Sequence, residues 1–286
     1  MIIDSHAHYS HHRFDGTFTY LRSGENGYTV VQSDRDTLLR NLEGISLVLE
    51  PGIGFESNEL TAALYQKYPQ LLRLAVGVHP TRVARAPWRK RKQLEQWAAG
   101  PGVVAIGETG LDYHHPKGQR RLLQWLWFSY QLWLAHRLSL PLVLHIRMAD
   151  RNALAMLRRR RHMLHGGVVH CFQGDWQTAQ QYLDLGFCLG IGGALLQEQS
   201  LALQEAVAQA PLERLLLETD SPYVLPDFPW PGSGKARKRL CNSSLILSQV
   251  LQRIAELKGV SPALAEETIY QNTLRAFHLE PPAADA

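Results

Sequence analysis

Two histidines, His6 and His8, are separated by a single residue near the start of the chain, in the run Ile-Ile-Asp-Ser-His-Ala-His. Side chains alternate along an extended strand, so positions i and i+2 point to the same face. The two imidazoles of such a segment can therefore bind one object together. A His-x-His pair by itself is equally typical of polar residues at a strand end, so its meaning depends on the rest of the chain.

Other residues with metal-ligand side chains follow later apolar runs, about one for each run: Glu108, His145, His170 and Asp220. Any one of them alone is more simply a satisfied polar residue at a strand end. Imidazole and carboxylate groups without clustered cysteines favour Zn²⁺, Mn²⁺ or Mg²⁺ over a thiolate structural site. Six ligands, including a carboxylate able to bridge, exceed the needs of one tetrahedral ion, so the sequence predicts two divalent ions.

Short apolar runs alternate with longer amphipathic segments along the chain, and this alternation predicts eight strands and the helices that connect them. The predicted strands are Ile2–His6, Ser46–Glu50, Leu72–Val78, Val103–Gly107, Leu142–His145, Val168–Cys171, Phe187–Ile191 and Leu215–Glu218. The predicted helices lie near Arg35–Leu42, Glu56–Tyr68, Pro87–Ala98, Gln119–Arg137, Ala149–His162, Trp176–Leu185, Leu201–Ala210 and Asn242–Lys258. A last helix is predicted from Ser261, with Pro262 at its first position, to about Phe277.

Eight strand–helix units predict an α/β fold, a (β/α)₈ TIM barrel with a C-terminal extra helix. Closure of a barrel brings the first and eighth strands together, and the carboxyl ends of all strands meet on one face, where the predicted ligands would converge. A doubly wound open sheet is the alternative fold, but it would leave the opening histidines without partners from the last strand. We expect one domain over residues 1–280, an insertion at 10–34 on the catalytic face, and a flexible tail at 281–286.

Composition sets limits on the class of protein and its location. The chain has 286 residues, 45% of them hydrophobic, a net charge of +4 and a pI of about 9.0, which permits an anionic partner. Three distant cysteines, Cys171, Cys188 and Cys241, argue against a disulfide framework and favour a reducing compartment such as the cytoplasm. We expect no secretory signal and no membrane span, because polar residues interrupt the longest apolar region, Leu122–Leu144. No obligate protein partner is indicated.

Two clusters of basic residues follow strands of the predicted barrel, where a cationic collar would attract a nucleic-acid backbone. The alternative for both is an ordinary solvated charged surface. The first cluster comprises Arg82, Arg85, Arg89, Lys90, Arg91 and Lys92, and the second comprises Lys235, Arg237, Lys238 and Arg239.

The chain resembles the TatD-like metal-dependent hydrolases and deoxyribonucleases, a branch of the amidohydrolase-type barrels. The resemblance extends over nearly the whole length and depends on six segments in this order: Asp4–His8, Gly77–Pro80, Ile106–Tyr113, Leu140–Arg147, Val169–Gly174 and Leu217–Tyr223. It implies one ion held by His6, His8 and Asp220, a bridge formed by Glu108, and a second ion held by His145 and His170. Asp220 is also expected to accept a proton from the attacking water, so that Asp220 and Glu108 are the predicted catalytic residues.

Three further residues are predicted to handle the substrate. His79 and Arg147 are placed to contact phosphate oxygens, Arg147 through its bidentate guanidinium, and Tyr113 to shape the substrate mouth. The predicted reaction is hydrolysis of phosphodiester bonds in DNA, and in RNA as a further substrate, so nucleic acid is the expected partner.

Other functions stay open at the level of the sequence, because one fold can serve the hydrolysis of several types of bond. The same barrel and ligands can hydrolyse a carboxylic ester, an aminoacyl ester or a C–N bond, and a non-catalytic metal-binding protein is a third possibility. Two segments differ from the family pattern. The aromatic and basic insertion at 10–34 can act as a lid, and Cys241–Ser244 stands where relatives often have Asn-Glu-Pro, so a contact at the outer rim could be lost.

Overall fold

The computed structural model describes residues 1–24, 27–114, 120–229 and 234–281, apart from the side chain of Lys235. The strands of the described ranges are β1 (Ile2–Asp4), β2 (Phe18–Gly24), β3 (Gly27–Ser33), β4 (Ile45–Pro51), β5 (Leu72–Val76), β6 (Val103–Asp112), β7 (Leu142–Arg147), β8 (Gly167–Val169), β9 (Cys188–Ile191) and β10 (Leu215–Leu217). Eight of them are parallel and form one sheet in the order β1-β4-β5-β6-β7-β8-β9-β10, and β2 and β3 form a separate pair.

The first and last strands of the large sheet meet, so the predicted TIM barrel is confirmed. Ser5 N donates to the Leu217 carbonyl at 2.8 Å, and an isolated parallel bridge joins Ala7 to Ser221. This closure brings the segment after β1 next to the segment after β10. The opening histidines therefore lie beside Asp220, as the barrel prediction requires.

Helices surround the strands: α1 (Arg35–Arg40), α2 (Phe55–Lys67), α3 (Arg91–Ala98), α4 (Arg121–Leu138), α5 (Asp150–Arg159), α6 (Trp176–Leu183), α7 (Leu201–Gln209), α8 (Gly234–Arg237), α9 (Leu247–Lys258) and α10 (Pro262–Ala276). Short 3₁₀ segments precede two of them, at Trp88–Lys90 before α3 and at Ser244–Ile246 before α9. Among the helices of the described ranges, none has both the length and the apolar character needed to cross a bilayer.

The barrel interior is filled by small and branched side chains, and the last helix covers its amino end. Phe277, just after α10, joins a buried cluster with Leu49, Ala75, Val143 and other strand residues. Tyr270 and Leu274 of α10 pack against Ile3 and Leu47. The predicted C-terminal helix is confirmed; Ser261 Oγ caps it by accepting from Leu264 N. Of the predicted tail, residues 282–286 lie outside the described ranges.

The insertion after β1 contains the hairpin β2–β3, whose antiparallel register runs from Phe18 opposite Ser33 to Gly24 opposite Gly27. Residues 25 and 26, between the two strands in sequence, lie outside the described ranges. Leu21 is fully buried, and its N–H donates to the Cys241 carbonyl at 2.9 Å. Main-chain hydrogen bonds thus attach the hairpin to the side of the barrel.

Candidate metal centre at the carboxyl end of the barrel

All six predicted ligands converge at the carboxyl ends of the strands. A cavity of about 730 Å³, here called the first cavity, is lined by His8, Glu108, His145, His170 and Asp220, and His6 is fully buried beneath it. We call these six residues the ligand cluster. Within the described part of the chain, three overlapping groups have ligand atoms within 4.8 Å of one another: His6, Glu108 and His170; His6, His8 and Asp220; and His79, Glu108 and His145.

One carboxylate oxygen of Glu108, Oε2, faces the residues that follow β1. It lies 3.3 Å from His8 Nε2 and 3.6 Å from His6 Nε2. Asp220 Oδ1 lies 3.4 Å and 3.8 Å from the same two nitrogens, which are themselves only 3.2 Å apart. We call this group, His6, His8 and Asp220, the Oε2 side.

The other oxygen of Glu108, Oε1, faces a second pair of imidazoles. It lies 2.9 Å from His170 Nε2 and 3.2 Å from His145 Nδ1, and these two nitrogens are 2.9 Å apart. We call His145 and His170 the Oε1 side. Glu108 therefore presents one oxygen to each of two separate groups of nitrogen donors.

Hydrogen bonds on the outer nitrogens indicate which atoms of these rings carry the proton. His8 Nδ1 lies 3.2 Å from the Pro51 carbonyl, which can only accept, so in the neutral ring the lone pair belongs to Nε2, inside the cluster. His145 Nε2 lies 3.3 Å from Asp112 Oδ2, which leaves the lone pair on Nδ1. Both lone pairs point into the ligand cluster, as ligation of a cation requires.

His79 has the opposite arrangement, although its Nε2 is 3.5 Å from Glu108 Oε1. Its Nδ1 accepts the backbone N–H of Thr81 at 3.1 Å, so Nε2 carries the proton in the neutral ring. Burial, followed by the charge of His145, lowers the pKa of His79 to about 3, so the neutral form is favoured. His79 is therefore a hydrogen-bond donor toward the cavity rather than a source of a lone pair.

The charges of the cluster favour a cation at its centre. Burial opposes ionisation of Glu108, but His170, His79 and His6 outweigh it, and the pKa of Glu108 is well below its ordinary value. The pKa of Asp220 is also lowered, because its bond to His8 and nearby imidazoles overcome burial. Burial lowers the pKa of His6 to about 4. Burial opposes protonation of His8 and His145 as well, but the carboxylates that face these two rings outweigh it and raise both pKa values, that of His145 to about 9. Two ionised carboxylates, together with imidazoles whose protons a bound cation would displace, fit the donor set of divalent metals.

A buried network beneath the cluster fixes the opening segment. Asp4 accepts N–H groups from His6 and Thr219, each at 3.1 Å, and hydroxyl groups from Thr219 and Ser244, each at 2.7 Å. Burial raises the pKa of Asp4 to about 6 against the opposing effect of these bonds. Ser244 belongs to the segment in which a contact at the outer rim could be lost; this segment makes buried bonds here, and Asn242 Nδ2 donates to the Thr219 carbonyl at 3.0 Å.

Two residues next to the ligand cluster were not among the predicted site residues: Asp112, which orients His145, and Glu218. Glu218 is buried behind His170: its Oε1 accepts the Cys171 N–H and lies 3.8 Å from His170 Nδ1. The signal for Asp112 was its spacing, because it lies four residues after Glu108 in β6 and therefore on the same face of the strand.

The predicted substrate residues are placed differently from one another. Arg147 lines the first cavity, is exposed, and forms no ion pair with any described residue. Tyr113 is not among the residues that line this cavity; its hydroxyl accepts Trp125 Nε1–H at 2.8 Å, and its contact with substrate stays a prediction. Tyr223, which had no predicted role, does line the cavity, with its hydroxyl 2.9 Å from His11 Nε2.

Known proteins resemble this chain in sequence and in structure. The family model described as TatD related DNase matches residues 3–278. The "3'-5' ssDNA/RNA exonuclease TatD" of Pectobacterium atrosepticum is 32% identical over 255 residues, which cover 87% of this chain and 95% of the relative. The "Uncharacterized metal-dependent hydrolase YcfH" of Escherichia coli is 36% identical over 204 residues, covering 71% and 73%.

A solved structure agrees with these matches. The TatD homolog YjjV of Escherichia coli superimposes with a TM-score of 0.79 at 27% identity and covers 98% of each chain. The ligand cluster, the barrel and these likenesses lead to one conclusion: the chain belongs to the TatD related DNase family and is a metal-dependent hydrolase of the TatD type.

Proposed function

We propose that this protein hydrolyses phosphodiester bonds of single-stranded DNA and of RNA at a centre of two divalent ions, Zn²⁺, Mg²⁺ or Mn²⁺. One observation carries the proposal: the two oxygens of Glu108 face two different groups of ligand atoms, His6 and His8 with Asp220 on one side, and His145 and His170 on the other. Glu108 would help to hold both ions, with His6, His8 and Asp220 for one and with His145 and His170 for the other.

Three side chains of the protein would have the remaining roles in hydrolysis. Bound divalent ions would polarise a phosphoryl oxygen and lower the pKa of a water molecule. Asp220, ionised and at the wall of the first cavity, is placed to accept the proton of the attacking water. The guanidinium of Arg147, which forms no ion pair with a described residue, and the Nε2–H of His79 would donate to phosphate oxygens and so orient the phosphorus for in-line attack.

The substrate class comes from the relatives. Proteins named 3'-5' ssDNA/RNA exonuclease TatD cover most of the length of this chain at 32–36% identity. We extend the activity in their name to this chain, with removal of nucleotides from a free end as its mode. The first cavity, about 730 Å³, lies in the size range of pockets that enclose a small ligand.

Two broader assignments belong to the same proposal. Residues 1–280 would act as one hydrolase domain, since one sheet and the clusters around it involve elements from β1 to α10.

A cytoplasmic location would keep Cys171, Cys188 and Cys241 reduced, and the structure has all three as free thiols.

A substrate panel combined with metal analysis tests the proposal. The purified protein would be loaded with Mn²⁺ or Mg²⁺ and given single-stranded DNA, RNA, duplex DNA, and small carboxylic esters and amides. We expect nucleotide release from the single strands and two ions per chain by elemental analysis. If only the carboxylic esters or amides are hydrolysed, the substrate is not a phosphodiester. If the protein binds no metal, the proposed mechanism is wrong.

A further inference from the structure

A second cavity, of about 490 Å³, adjoins the first. The two share a wall made by His8, His11, Ile53 and Arg82. A linear molecule that has one bond at the ligand cluster can therefore continue over this wall without leaving the surface of the protein. The proposed mechanism uses only the first cavity and leaves the second without a role.

The second cavity has one distinctly cationic wall, made by Arg82, Arg85 and Lys90 on the segment between β5 and α3. All three side chains are exposed, and none forms an ion pair with another residue of the described ranges; Lys90 Nζ lies 5.5 Å from the centre of the Phe55 ring, so the two walls approach each other there. Exposed cations that face the same groove provide favourable positions for successive phosphates of a nucleic-acid backbone.

The other wall is the start of α2 and has a different character. It presents the half-buried ring of Phe55 and the exposed side chain of Leu60, with Glu56 and Glu59 beside them. The two carboxylates repel phosphate, so a strand in this groove would turn its phosphates toward the arginines. Its sugars and bases would then face Phe55 and Leu60.

We propose that the second cavity binds the nucleotide on the far side of the scissile phosphodiester, while the first cavity holds the nucleotide that is released. This inference rests on the proposed function and adds the path of the strand. It also sorts the first basic cluster predicted from the sequence: Arg82, Arg85 and Lys90 line the groove, whereas Arg89, Arg91 and Lys92 line neither cavity.

That division supplies a matched control. The double variant Arg85→Ala/Lys90→Ala removes two cations from the groove, and Arg89→Ala/Lys92→Ala removes two that are close in sequence but line neither cavity. Each would be assayed with a single-stranded thymidine hexamer and with a p-nitrophenyl ester of thymidine phosphate, which has one nucleoside only. For the groove variant we expect the ratio of kcat/KM for the hexamer to kcat/KM for the ester to fall about tenfold.

The same variants differ in their salt dependence. Loss of two phosphate contacts to a single strand makes the plot of log(kcat/KM) against log[salt] shallower by about 1.4 for the hexamer. The control variant should keep both the wild-type ratio and the wild-type slope. If the two double variants change the ratio equally, or if the groove variant slows the ester as much as the hexamer, the second cavity is not a subsite.

A binding measurement separates this proposal from the proposed function. Fluorescence anisotropy with a labelled thymidine hexamer in the presence of chelator reports binding without hydrolysis. We expect a Kd about tenfold higher for the groove variant than for wild type and control. If the wild-type protein hydrolyses neither the hexamer nor the p-nitrophenyl ester, the proposed function is wrong. The anisotropy result still tests the subsite, because equal Kd values for the two double variants would show that the second cavity does not bind the strand.

Discussion

The two sides of Glu108 hold their imidazoles by different means. On the Oε2 side, His8 is oriented by a backbone carbonyl, that of Pro51, and the N–H of His6 is fixed by the buried carboxylate of Asp4. On the Oε1 side, a side-chain carboxyl group lies behind each ring: Asp112 at 3.3 Å from His145 and Glu218 at 3.8 Å from His170. The Oε2 side is thus held through main-chain groups, the Pro51 carbonyl and the His6 N–H, whereas on the Oε1 side acidic side chains lie next to the rings themselves.

This difference has a chemical consequence. A carboxylate behind a histidine raises the basicity of the ring and strengthens its bond to a metal, whereas a carbonyl mainly fixes its orientation. The Oε2 side has its own charged candidate ligand, Asp220, whereas the Oε1 side obtains negative charge from Glu108 and Asp112, because burial and the charge of Asp220 raise the pKa of Glu218 well above its ordinary value. We therefore expect the two ions to differ in how they respond to single substitutions.

The largest effect should come from Glu108→Ala, which removes the one residue that both sides share. We expect kcat to fall by at least about three orders of magnitude and the metal content to fall from two ions to one or none. Elemental analysis and kinetics on a single-stranded oligonucleotide measure both. Glu43→Ala, at an exposed carboxylate paired with Arg22, serves as control. Two retained ions in the Glu108 variant would refute the bridge.

Asp220→Asn should act on the Oε2 side alone. The amide is a poorer ligand and cannot accept the proton, so we expect kcat to fall about 10²- to 10³-fold while the ion on the Oε1 side is retained. Asp227→Asn, in the same loop and exposed, is the matched control. Near-normal turnover of the Asp220 variant would remove this residue from the mechanism.

Asp112→Ala should act on the Oε1 side alone. Loss of the carboxylate behind His145 is expected to lower the binding affinity for one ion by about 10- to 100-fold. Calorimetric titration of the metal-free protein with Mn²⁺ measures this as a shift of one binding step. If both binding steps shift together, the Oε1 side and the Oε2 side do not bind their ions independently.

The smallest effect should come from Arg147→Lys, at the end of the strand that carries His145. Lysine keeps the charge but cannot form the bidentate contact, and one lost hydrogen bond is worth about 0.5–1.5 kcal/mol. We expect KM for the oligonucleotide to rise about two- to tenfold with little change in metal content. An unchanged KM would show that Arg147 does not contact the phosphate.

Local patterns were sufficient to predict the barrel and the position of the ligand cluster. Eight apolar runs with the right spacing fix the number of strands, and closure then brings His6 and His8 to Asp220 without further information. One helix boundary was wrong: α9 begins at Leu247 rather than near Asn242, because Asn242, Ser243 and Ser244 use their side chains in buried bonds to distant segments.

Other features depend on contacts that no local pattern contains. The tautomer of His79 is set by the backbone N–H of Thr81, and the roles of Asp4 and Ser244 appear only when residues 240 positions apart meet. The lid expected at 10–34 divides in two: residues 10–12 reach the second cavity, whereas no described side chain of β2 or β3 lines either cavity. Of the second basic cluster, Arg237 lies 4.0 Å from Asp227, and Lys235 lies outside the described side chains.

Phe277 and the last helix give the barrel a sealed floor. The interior below Glu108 is packed with the cluster of Leu49, Ala75, Val143 and Phe277, whereas the first and second cavities both lie at the carboxyl ends of the strands. Under the proposed function, substrate and product would therefore enter and leave on the same face of the barrel.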